Sequence, residues 1–83
     1  MTADEMFEAL GYSKSVFKEA TYTEYTHISE NPRGCYVIAF EGLNHTISIS
    51  LYTFTQGKIE SKDLIITLDE LKAINKKIEE LEW

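Results

Sequence analysis

Residues 46–51 read TISISL, and the stretch at 35–40, CYVIAF, alternates in the same way. Successive side chains of a β-strand point to opposite faces, so alternation separates an apolar set from a small or hydroxyl set on two sides of a sheet. The two stretches are joined by EGLNH, in which Gly42 and Asn44 suit a tight turn. They read as an antiparallel hairpin. With its tip at 43–44, Ile38 pairs with Ile49 and Tyr36 with Leu51. Tyr36, Ile38, Phe40, Ile47, Ile49 and Leu51 then share the face that must be buried, because a slip of one residue would turn all of them to water.

The segment before this hairpin, ATYTEYTHIS at 20–29, is rich in Thr and Tyr and reads as a further strand. NPRG at 31–34 is the turn after it, with Pro32 preset for the second turn position. A bulge at Gly34 is expected, since it brings Tyr22 and Ile28 to the buried face. On that register Thr21, Thr23, Tyr25 and His27 look outward with Cys35, Val37, Ala39, Ser48, Ser50, Tyr52 and Phe54. TQGK makes another turn, and KIESKDLIIT contains a fourth, shorter strand.

Both ends of the chain carry helix signals. Thr2 with Glu5 three residues later forms a capping box, and Gly11 suits a left-handed stop, which predicts a helix over 3–10. Thr67 and Glu70 repeat the box. Leu71, Ile74, Ile78 and Leu81 follow at three- and four-residue spacing, which predicts a second helix over 68–82. The fold class is α+β: a short helix, a four-stranded antiparallel meander over about 20–67, and a C-terminal helix, in one domain spanning 1–83. Two short helices can cover one sheet face only, so both are expected on the same side, with Trp83 folded back over the core.

Two surfaces remain for a partner. One is the open sheet face, where Tyr25, His27, Tyr52 and Phe54 are the candidate contact residues. The other is the C-terminal helix tip, where Glu79, Glu80 and Glu82 crowd the end at which the helix dipole disfavours acids. The chain has 14 acids against 8 bases, a net charge of −6, which repels nucleic acid and anionic membranes and favours a basic protein surface. No apolar run approaches the roughly 18 residues of a membrane span. The acidic start lacks the features of a secretion signal, and Cys35, the only cysteine, forms no internal disulfide; both fit a cytoplasmic setting.

No catalytic, cofactor or metal site is expected. His27 and His45 have no further ligand at metal-binding spacing, and Cys35 has at best His27 nearby as a base, with no third group to orient it. Phosphate loops, dinucleotide fingerprints and calcium loops are absent from the sequence.

MTADEMFEALGY at the start, CYVIAF in the middle and LDELKAINKKIEELEW at the end resemble a group of small uncharacterised proteins encoded by phages and prophages of Gram-positive bacteria. The likeness covers about 28 residues at the two ends, in cap, stop and core positions. The chain departs from the pattern at Glu82, where the group has glycine before the tryptophan. The resemblance implies a bacterial host cytoplasm and supplies no catalytic residues. The expected function is therefore non-enzymatic protein–protein interaction, directed at a host factor, with self-association through the open sheet face as the alternative.

Overall fold

Thr2 starts the fold. Its hydroxyl accepts the Glu5 backbone N–H at 3.2 Å, and the Glu5 carboxylate accepts the Thr2 N–H at 2.9 Å, closing the capping box of α1 (Ala3–Ala9). Gly11 ends the helix at a φ of 92°, which a side chain would strain, and the Tyr12 N–H returns to the Phe7 carbonyl. The computed structural model describes the backbone of residues 1–30, 33–55, 58–61 and 65–83, and the side chains of 1–28, 34–52 and 65–83.

Among the described residues five strands follow: β1 (Ser13–Phe17), β2 (Tyr22–Glu30), β3 (Arg33–Glu41), β4 (Thr46–Thr55) and β5 (Lys58–Ser61). They form one antiparallel sheet in chain order. The last four are the meander that the alternation predicts. β1 is an addition at the edge. All five of its residues are exposed, so SKSVF carries no inward period that would reveal a strand. A single 3-10 turn at Lys18–Ala20 and a left-handed Thr21 fold β1 back onto β2. The Thr21 carbonyl accepts the Gly42 N–H at 2.9 Å, and a Cβ on Gly42 would meet that same oxygen at 2.9 Å. Gly42 thus serves close approach, whereas the left-handed residue of its turn is His45, at a φ of 52°.

The β3–β4 register is the predicted one, with Ile38 opposite Ile49 and Tyr36 opposite Leu51. The β2–β3 register is not. The ladder runs without a bulge from Tyr22↔Glu41 to Glu30↔Arg33, passing through Tyr25↔Ile38, His27↔Tyr36 and Ile28↔Cys35. Tyr25 and His27 therefore share the covered face with Ile38 and Tyr36, while Tyr22 and Ile28 face outward. The Asn31–Pro32 pair of that turn lies outside the described residues. The register follows from what Tyr25 gains inside. Its ring stacks on Phe7 at 4.0 Å and meets Phe40 edge-on at 5.9 Å, and its hydroxyl donates to the Asp4 carboxylate at 2.6 Å. Ile28 in that position would bury an aliphatic group only, whereas a tyrosine buries a ring and satisfies its polar tip.

α2 (Leu68–Leu81) begins with the second capping box, Thr67 with Glu70. Ile74 and Ala73 are buried, and Ile78 and Leu81 pack on the core from its margin. Leu71, expected in the same stripe, is 40% exposed. Both helices lie on one face of the sheet, over Tyr25, Ile38 and Phe40. The chain closes with Glu82 in the left-handed region at a φ of 58°; its N–H reaches the Glu79 carbonyl and the Trp83 N–H the Ile78 carbonyl. That is a Schellman stop. It explains why glycine suits position 82, and it delivers Trp83 onto His45, ring over ring at 4.8 Å.

Candidate binding surfaces

The open sheet face is built by the unbulged register. Strand neighbours on it run Ile28–Cys35–Tyr52, then Thr26–Val37–Ser50, then Glu24–Ala39–Ser48, and finally Phe17–Tyr22–Glu41. Ile28 is 67% exposed and Phe17 50%, and Phe17 leans on Tyr22 at 5.6 Å. The face is thus more apolar than the hydroxyl-rich surface expected, because the β2 residues on it are Tyr22, Glu24, Thr26 and Ile28. Two of the candidate contact residues are not there. Tyr25, 1% exposed, is a core residue, and His27 is half-buried under the helices. Tyr52 stands on the open face as expected, and the side chain of Phe54 lies outside the described residues.

The sheet also separates His27 from Cys35, which occupy opposite faces. Burial, and then the Glu24 carboxylate, push the Cys35 thiol above its usual value. The protonated form of a thiol is the poorer nucleophile.

At the C-terminal tip the three acids have separate employments. Glu80 accepts the backbone N–H of Ala3 at 2.8 Å, so its carboxylate sits at the positive end of α1. Glu79 lies 3.5 Å from the Lys76 ammonium, and Glu82 occupies the left-handed stop with its side chain in water. The apparent conflict of an acid at a helix C-terminus is resolved for Glu80 by a second helix, which no one-dimensional pattern encodes.

A third feature escapes the sequence reading. Beside the helices lies a pocket of about 320 Å³ lined by Leu10, Tyr12, His27, Tyr36, Ile65, Thr67 and Glu70. His27 and Tyr36 are register partners with rings 24° from parallel and centroids 6.1 Å apart. Tyr12 stands 54° off the His27 ring, at 5.4 Å. The Tyr12 hydroxyl donates to one Glu70 oxygen, and the other Glu70 oxygen accepts the Thr67 N–H at 2.8 Å. Burial alone would raise the Glu70 carboxyl, but these hydrogen bonds hold it below the usual value, so it is an anion at neutral pH. Burial and that anion together push the Tyr12 phenol up, keeping its proton in place. Only the inward orientation of His27 assembles this wall, and the bulged register would have removed it.

The chain matches no family model, no curated protein and no solved structure. Among the described residues no helix is long and apolar enough to cross a membrane, and no group of three or more His, Cys, Asp or Glu side chains is placed to hold a metal ion.

Proposed function

We propose that the protein acts without catalysis, by docking its open sheet face on a protein partner. The observation that carries this reading is the row Ile28–Cys35–Tyr52 with Val37 beside it, on the face that neither described helix covers, ending across the face in Phe17 and Tyr22. An apolar, aromatic row of this kind is what a partner buries at the centre of an interface. The net charge of −6 steers such a protein to a basic partner and away from nucleic acid and anionic lipid. The likeness of the two ends to phage and prophage proteins supports a partner in a bacterial host's cytoplasm, a host factor whose activity the complex redirects.

Capture from that host's extract tests the reading with two variants. The pair Ile28→Ser and Tyr52→Ser is expected to lose a protein that the parent retains, while Leu68→Ser on the helical side retains it. A partner that survives the double change on the sheet face refutes the assignment. A second reading, self-association, rests on β1, an edge strand whose five residues are exposed and whose outer side pairs with no other strand among the described residues. Light scattering decides it: a mass of 9.6 kDa at micromolar concentration removes that reading.

A further inference from the structure

We propose that the pocket between α1, the β2–β3 hairpin and the start of α2 is a binding site for a flat organic cation, of which a guanidinium group is the type. The site is on the helical side of the sheet and is independent of the docking face above. Two aromatic rings line it together, because His27 and Tyr36 are cross-strand partners with ring planes 24° apart and centroids 6.1 Å apart. Tyr12 makes a side wall and Leu10 and Ile65 an apolar rim. Glu70 is the one carboxylate in the lining among the described residues. Aromatic faces carry negative charge density and attract cations. A carboxylate has about four acceptor positions, and Tyr12 and Thr67 use one on each oxygen of Glu70, leaving acceptors for an incoming N–H.

Guanidinium suits this lining better than a primary ammonium. It is planar, so it stacks on an aromatic ring of the lining; it is weakly hydrated, so the apolar rim costs it less; and its forked N–H groups match a carboxylate. The volume, about 320 Å³, is at the small end of ligand sites and holds a group of that size. The same chemistry arises from an arginine side chain of a protein or from a free small guanidine.

NMR titration of the full chain with three probes tests the site: acetyl-arginine N-methylamide, methylguanidinium, and acetyl-citrulline N-methylamide as the neutral isostere. The expected result is movement of the His27 and Tyr36 ring resonances with both cations and not with the citrulline compound. Glu70→Gln keeps a side chain that can close the capping box. It is expected to weaken cation binding about tenfold or more, as is Tyr36→Leu. An arginine derivative that binds about tenfold tighter than methylguanidinium assigns a protein side chain as the source, and equal affinities assign a free cation. The proposal is overturned if the rings do not move at about 20 mM probe, where millimolar affinity already registers. It also falls if the citrulline compound binds as well as the arginine one, or if affinity is unchanged in Glu70→Gln. Should that variant fail to fold, Tyr36→Leu and the neutral probe decide.

Discussion

The two faces of the sheet are made from the same strands and have opposite fates. On the covered face, Phe7 stacks on Tyr25, meets Tyr12 and Phe40 edge-on, and has no exposed surface. On the open face, Ile28 and Tyr52 stand opposite the same β3 residue, Cys35, and remain exposed, at 67% and 40%. The residue types do not account for the difference, since a tyrosine is buried on one side and an isoleucine exposed on the other. What separates them is whether a helix supplies a matching ring and a matching acceptor. α1 supplies both, Phe7 for the ring of Tyr25 and Asp4 for its hydroxyl.

The contrast is open to measurement. Phe7→Ala removes the centre of the aromatic cluster and is expected to cost about 3–5 kcal/mol, enough to unfold much of so small a domain; urea unfolding monitored by circular dichroism reads it. A loss under about 1 kcal/mol would mean that the helices do not hold the sheet. Tyr25→Phe keeps the ring and deletes the bond to Asp4, at an expected cost of about 1–2 kcal/mol, whereas Tyr52→Phe on the open face should leave the unfolding midpoint unchanged.

Glu82→Gly relieves a left-handed residue that has a side chain, and a gain of about 0.5–1 kcal/mol is expected in thermal unfolding, with Trp83 fluorescence unaltered. Asp4→Asn probes the seam between α1 and the sheet. Burial would raise the Asp4 carboxyl, but the bonds from Lys14 and Tyr25 hold it below its usual value. A depressed carboxyl stabilises the fold above the unfolded chain's value and loses that contribution as pH falls through the folded one. The deficit of Asp4→Asn relative to the parent, about 0.5 kcal/mol for a half-exposed pair, should be constant near neutrality, shrink as pH falls past the unfolded chain's value and vanish once pH is below the lowered folded value. The smallest effect belongs to Ile28→Ala, within about 0.5 kcal/mol, since Ile28 is mostly in water already. A large loss there would show that the open face is covered after all.

Local rules were legible in this chain wherever the partner group lay within a few residues. Both capping boxes, the Gly11 stop, and the β3–β4 register came from spacing, because the hydrogen bonds concerned join residues three to five apart or strands joined by a short turn. The return of Trp83 to the core was readable from its place just past an apolar stripe. The β2–β3 register was not. Burying Ile28 is a sound local preference, but it competes with burying Tyr25, and the outcome rests on Asp4 and Phe7, about twenty residues away. The same error hid the pocket, since His27 reaches Tyr12 and Tyr36 only from the covered side. β1 was missed because an edge strand exposed throughout needs no apolar period, only a neighbouring ladder to join.

The sequence alone therefore determined the class of the fold, the ends of both helices, the existence of the meander and the need for one covered face, all of which follow from alternation and capping over short distances. Tertiary structure alone decided which side of β2 is inside, what Glu80 binds, and that Tyr12, His27, Tyr36 and Glu70 meet around one pocket. Those outcomes depend on aromatic stacking and polar satisfaction between segments distant along the chain, and such energies exist only once the segments are brought together.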